Sequence, residues 1–222
     1  LFICIKSVLI RLIRVIRVLS SVCYLRMLST KESKQMKLSI IIIVNNAEKK
    51  IDRCLKSLQG LSDDIVIIDS MSTDNTVNIC KKYTKKVFIE EWKGYANQKN
   101  SAIEKTKHDW IFWIDSDEEL TPEGQRLLFR INKGEKGAVP CVGYEIKRRT
   151  MFLGRWMDHC WGNDYALRLF KKGKDVYFPD AAVHEKLHIN GNIGKLQENI
   201  INHYPYETIK EYLDKFINYA NL

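Results

Sequence analysis

The sequence predicts an α/β fold with a largely parallel central sheet and helices on both of its faces. Two observations carry this. Several β-branched runs are too continuously apolar for half-exposed strands, and each is followed by a segment with helical apolar spacing. A third observation places the chemistry: the runs end in Asn or Asp, and ligands of such sheets sit beyond the carboxyl ends of the strands.

The elements follow in order from Lys37. Leu38 to Val44 reads as a strand buried on both faces. Residues 48–59 read as a helix, with Ile51, Cys54, Leu55 and Leu58 on one face and Gly60 at its end. Ile65 to Ile68 is a second strand. Ser72-Thr73-Asp74 starts a helix running to Tyr83, with Thr73 or Asp74 as N-cap. Val87 to Ile89 is a short third strand, residues 95–106 are helical, and Trp110 to Ile114 is the fourth strand. The alternation implies crossover connections and parallel pairing.

Composition bounds the rest. The 222 residues suffice for one substantial domain, and 45% apolar with 10% aromatic content supports a core. Six cysteines form no metal-knuckle spacing, and Cys54 and Cys80 fall at apolar helix positions, which predicts buried free thiols in a reducing compartment. The net charge of +9 is unevenly placed: residues 1–36 hold seven basic residues and one acid, leaving only +3 on the body. A nucleic-acid-binding protein, the reading that a pI near 9.2 invites, would need basic residues on one face of the body. The near-balanced body argues against nucleic acid as a partner.

Residues 1–36 form a leader. Lys6, Arg11, Arg14 and Arg17 cluster on one helical face opposite an aliphatic one. This is too charged to span a bilayer but suits a helix lying in the interface of an anionic membrane. The other reading is sequence upstream of a natural start at Met27 or Met36.

The first strand ends at Asn45-Asn46, the second at Asp69, and the fourth at Asp115-Ser-Asp117. Parallel pairing puts all three on one sheet edge. Side chains two apart on an extended backbone leave on the same side, so Asp115 and Asp117 suit a divalent cation carrying a phosphorylated ligand. No glycine-rich phosphate cradle follows the first strand, which leaves phosphate to metal and side chains.

The succession Ser39 to Asn46, then Ile-Val-Ile-Ile-Asp69-Ser-Met-Ser-Thr-Asp74, then Asp115-Ser-Asp117-Glu resembles the nucleotide-sugar domain of family 2 glycosyltransferases, the GT-A fold. Met71 stands where that family usually has Gly. Downstream, Arg148-Arg149 to Arg155-Trp156, Trp161 to Arg168, and Val183-His184-Glu185 are similar to the subgroup that adds glucose to the inner core of bacterial lipopolysaccharide. The resemblance spans residues 37–222. One departure is Ala47, where the family often has the first of two Glu. The chain also stops inside an amphipathic helical pattern where similar proteins run further, so a truncated C-terminus is expected.

The resemblance implies roles. Asn46, Asp69, Lys99 and Asp115 would bind the donor, Asp69 at the uracil or ribose. Asp117, with Asp115 and His184, would hold Mn or Mg against the donor phosphates. Asp164 would be the general base of an inverting transfer, with Asp158 as its competitor. Trp156 and Trp161 would face sugar rings. Arg148, Arg149, Arg155 and Arg168 would form a patch for a phosphorylated acceptor. The implied activity moves a hexose from a UDP-sugar to an inner-core heptose, at the cytoplasmic face of the bacterial inner membrane. Alternatives are a polyprenyl-phosphate or capsule acceptor, or a catalytically dead sugar-binding module.

Overall fold

A computed structural model describes residues 36–132, 141–158, 164–179 and 186–220. Residues 1–35 of the leader, Trp161 and His184 lie outside the described residues.

The sheet begins as expected. β1 (Met36–Val44) pairs in parallel with β2 (Ser62–Asp69) on one side and β4 (Trp110–Trp113) on the other, and β2 pairs in parallel with β3 (Val87–Ile89). Alternation along β1 divides the core. Ile40, Ile42 and Val44 pack with Ile51, Cys54, Leu55 and Leu58 on one face. Ile41 packs with Ala96, Ala102 and Ile103 on the other. Helices α1 (Ile51–Ser57), α2 (Thr76–Cys80) and α4 (Pro122–Asn132) thus cover the first face, and α3 (Tyr95–Glu104) covers the second. Burial of both faces explains the uninterrupted Ile run. Cys54 and Cys80 are buried free thiols.

The helices are shorter than the pattern suggested, because their ends unwind into turns. The second also starts later, with Asn75 at its N-cap and no side-chain cap bond. Thr73 takes no part in capping it, and Asp74 stands one residue ahead of the N-cap position. Asp74 accepts hydrogen bonds from the backbone N–H of Thr76 at 3.0 Å and of Glu48 at 3.2 Å, so it fastens two loops together.

The second half of the sheet is joined antiparallel. The order of the described strands is β3-β2-β1-β4-β8-β6-β9-β5, with β7 (Arg155–Trp156) beside β6 (Gly143–Phe152). β8 (Tyr165–Lys171) runs against β4, and the long β9 (Ile193–Tyr206) runs parallel to β6 and antiparallel to β5 (Glu118–Leu120). The start of α4 approaches β9 so closely that a Cβ on Gly124 would stand 2.7 Å from the Ile200 carbonyl oxygen. Helix α5 (Ile209–Ala220) is amphipathic, and Ile209, Leu213, Phe216 and Ile217 are exposed.

At the amino ends of the strands, a polar clasp closes the sheet. The buried Asp64 carboxylate accepts from Ser39 Oγ at 2.5 Å, Lys86 Nζ at 2.6 Å and the Lys107 N–H at 2.6 Å. Next to it, Lys107 and then His108 donate to Asp63 and hold its carboxyl down to about 2. A depressed carboxyl stabilises the fold above its ordinary value near ~4 and loses that contribution as pH falls through the folded value. Asp63→Asn should therefore be less stable than the parent at neutral pH, and the gap should close between about pH 4 and 2. Urea denaturation across that range measures it.

Met71 occupies the left-handed region, at φ 58°, and is exposed. A side chain there costs about 1–2 kcal/mol. Met71→Gly should raise unfolding free energy by up to about 1 kcal/mol, and Met71→Val should lower it by about as much. The denaturant midpoints of the two variants should move in opposite directions.

Candidate active site

The carboxyl edge of β1 and β2 is built from mutually capping loops. Asp69 is fully buried, and its carboxylate accepts from the Ser72 N–H at 2.8 Å and Ser72 Oγ at 2.5 Å. Asn46, at φ 46°, donates its N–H to Ser72 Oγ at 2.8 Å and accepts from the Thr73 N–H at 2.9 Å. Asn45 Nδ2 donates to the Ser70 carbonyl at 2.6 Å. Parallel registration sets Asp69 opposite Val44, so Asn46 and Asp69 share one lip of the sheet.

The acidic turn lies past β4 on the same edge. It is closed by Glu118, whose Oε2 accepts the Asp115 N–H at 2.9 Å while its own N–H donates to the Asp115 carbonyl at 3.0 Å. Glu118 is fully buried, and so is Arg168, reaching in from β8. Arg168 Nη2 donates to Asp115 Oδ2 at 2.6 Å and to Glu118 Oε1 at 2.7 Å. Trp113 Nε1 donates to Asp115 Oδ1 at 3.1 Å. Arg168 also lies over the Trp113 ring at 3.9 Å, and Lys99, itself buried, lies over it at 3.5 Å. Burial alone would raise the Asp115 carboxyl, but Arg168, then Lys99 and Arg148, hold it well below the usual carboxylate range. Beneath the turn, Cys54 donates its thiol to the Asp115 carbonyl at 3.5 Å. Burial, then the negative charges of Glu118, Asp117 and Asp115, pushes that thiol up and keeps it protonated.

The acceptor half meets the turn through a second arginine. Arg148, on β6, donates from Nη1 to Glu118 Oε1 at 3.0 Å, and its Nη2 stands 2.6 Å from Asp164 Oδ2. The Arg148 N–H also bonds the Asp164 carbonyl at 2.9 Å. Five charged groups therefore run in alternation: Asp115, Arg168, Glu118, Arg148, Asp164.

Several expected residues sit elsewhere than the pattern suggested. Arg168 is fully buried and so no part of a surface patch, while the half-buried Arg148 turns its guanidinium toward the buried Glu118 and toward Asp164. Both Asp115 carboxylate oxygens accept an N–H donor, Oδ2 from Arg168 and Oδ1 from Trp113. Arg149 and Asp158 form a two-pronged pair at 2.5 and 2.6 Å, with Arg149 over the Trp156 ring at 4.6 Å. Trp156 leans against Tyr204, centroids 5.7 Å apart, and Arg155 is exposed on β7. Asn100 brackets Phe178 with two 2.8 Å bonds, tying α3 to the segment that leads toward residue 184.

Two residues escaped the sequence reading. Glu118 is the hub of the network, and its one sequence signal is its place as the third acid of the turn. His203, on β9, sets Nε2 3.7 Å from Asp117 Oδ2, with Nδ1 3.3 Å from Thr150 Oγ1. Nothing in a long strand marks one His as special. Among the described residues no three acids, histidines or cysteines are grouped closely enough to bind a metal by themselves. Asp117 with His203 is an O/N donor pair that fits a divalent ion whose remaining ligands come from phosphate oxygens or water.

Fold and site together define a GT-A glycosyltransferase architecture. The glycosyl transferase family 2 profile matches residues 39–189, and the chain belongs to that family. It is 30% identical over 197 residues to an uncharacterized glycosyltransferase of Rickettsia typhi, covering 83% of this chain and 66% of that protein. It is 30% identical over 194 residues to the lipopolysaccharide core biosynthesis glycosyltransferase LpsC of Rhizobium meliloti, covering 85% of this chain and 70% of that one. Residues 1–349 of S. aureus TarS, solved with UDP-GlcNAc, share the fold with a TM-score of 0.57 and 20% identity, over 80% of this chain and 61% of that chain.

Arg168→Met should cost about 3–5 kcal/mol, because it leaves Glu118 and Asp115 short of their shared counter-charge. Urea unfolding followed by circular dichroism measures that loss.

Proposed function

We propose that this chain transfers a hexose, glucose first among candidates, from a UDP-sugar to a heptose of the lipopolysaccharide inner core, with inversion at the anomeric carbon. The observation that carries the reading is the placement of Asn46, Asp69 and the Asp115-Ser-Asp117 turn along one sheet edge, with Asp164 tied to that turn from the acceptor half. The relationship to LpsC, named for core biosynthesis, supports the acceptor.

Asp69 and Asn46 would bind the nucleoside, and Lys99 would add positive charge beside the phosphates. Asp117 would hold Mn or Mg, with His203 or His184 as a further ligand; the ion would offset charge on the departing UDP. Asp164 would take the proton of the acceptor hydroxyl as that oxygen attacks the anomeric carbon opposite the leaving group. Asp158, already gripped by both nitrogens of the Arg149 fork, is the weaker candidate. Arg149, Arg155, Trp156 and Trp161 would line the acceptor side. No helix among the described residues is long and apolar enough to cross a membrane. The amphipathic leader would hold the enzyme at the cytoplasmic face of the inner membrane.

Incubation with UDP-sugars and Mn, with and without heptose-containing core oligosaccharide, should release UDP in an acceptor-dependent way. No UDP from any sugar would sink the enzyme reading, and turnover on polyprenyl phosphate alone would reassign the acceptor. Asp117→Asn and Asp164→Asn should each lower kcat by at least about 100-fold, and Asp158→Asn by far less. Removal of residues 1–36 should abolish sedimentation with anionic vesicles while sparing turnover on a soluble acceptor.

A further inference from the structure

Arg148 has the chemistry of an acceptor-phosphate contact, yet both ends of its fork are committed within the protein. Nη1 bonds Glu118 at 3.0 Å, and Nη2 contacts Asp164 at 2.6 Å. Its main-chain N–H bonds the Asp164 carbonyl at 2.9 Å. Asp164 is thus held twice by one residue, through main chain and side chain. Arg148 is in turn held by Glu118, a fully buried carboxylate that also receives Arg168 and caps the Asp115 N–H.

Buried ion pairs are a poor way to gain stability, since desolvation consumes most of the attraction and an apolar cluster of equal volume often does as well. What a planar guanidinium fork provides is geometry, because its donors point in fixed directions. Here the fork spans from the acidic turn, on the donor side, to the candidate base, on the acceptor side. The distance between donor carboxylates and base decides whether the acceptor oxygen stands in line with the bond being broken.

We propose that Arg148, anchored on Glu118, is a positioning residue that fixes the Asp164 carboxylate relative to the Asp115-Ser-Asp117 turn. This rests on the reading of Asp164 as base. Arg148 touches no substrate in this scheme and acts through Asp164 alone. Glu118 acts in two directions, through Arg148 on the base and through Asp115 on the donor turn.

A double-mutant cycle on the full chain, read by UDP release and by calorimetric titration with UDP and Mn, tests this. Arg148→Gln and Arg148→Lys should each lower kcat about 10- to 100-fold. Acceptor KM and UDP affinity should stay within about twofold, and in an Asp164→Asn background either substitution should change the residual turnover by less than about twofold. Glu118→Gln should lower kcat and also weaken UDP binding. An acceptor KM that rises while kcat holds would make Arg148 an acceptor contact and overturn the proposal. So would an equal loss of kcat with and without Asp164. Full turnover by Asp164→Asn removes the base reading and this proposal together; a strongly slowed Asp164→Asn with additive losses removes the proposal alone. If Arg148→Gln does not fold by circular dichroism, Arg148→Lys, which keeps the charge but not the fork, decides the question.

Discussion

The structure depends on one buried contact: the Arg168 guanidinium shared between Asp115 and Glu118. Neither charge would be tolerated alone at that depth. Together they allow a carboxylate-rich turn to sit against the core instead of floating in solvent. The turn's shape follows from this. Glu118 can reach back to cap the Asp115 N–H only because its other oxygen is neutralised by arginine. The aromatic floor contributes as well. Trp113 is the last residue of β4; it bonds Asp115 and presents its ring to Arg168 and Lys99. Two cations and an indole therefore surround the first acid of the pair, while Asp117 stands nearer to His203.

The fold joins two unlike halves at that contact. The parallel half delivers Asn46, Asp69 and the acidic turn by strand-end geometry alone. The antiparallel half delivers Arg148 from β6, Arg168 from β8 and Asp164 from the residue just before β8. The halves meet along the β4–β8 ladder, where Trp110, Ile111 and Phe112 face Lys171, Phe170 and Leu169.

The parallel half was legible in the sequence because both of its signals are local. Continuous Ile runs mark doubly buried strands, and Asn or Asp at their ends marks the lip. The charged network was not legible, because sequence shows that a residue is arginine but not which way it is drawn. Arg148 and Arg168 have the composition of a phosphate patch, and the buried Glu118 carboxylate turns them inward. Asp74 was legible only in part: it does accept the N–H of Thr76, the first helical residue, but its other oxygen takes the Glu48 N–H from a loop far away in sequence. Met71 was conspicuous as a non-glycine in a glycine's place, and the backbone does adopt the conformation that glycine would favour.

The β4–β8 seam has a consequence for how such a sequence can vary in length. Asp164 lies just ahead of β8, and Arg168 falls where the register against β6 shifts, Tyr144 facing Leu169 while Glu145 faces Leu167. Shifting that strand by a single residue against its neighbour would send every side chain on it to the opposite side of the sheet. Arg168 would leave Asp115 and Glu118, and Asp164 would leave Arg148, in one step. Loops elsewhere on the molecule can lengthen at little thermodynamic cost. Beyond the one irregularity that β8 already carries at Arg168, a one-residue insertion or deletion in residues 164–171 would displace these side chains, which makes this short strand the reading frame of the site.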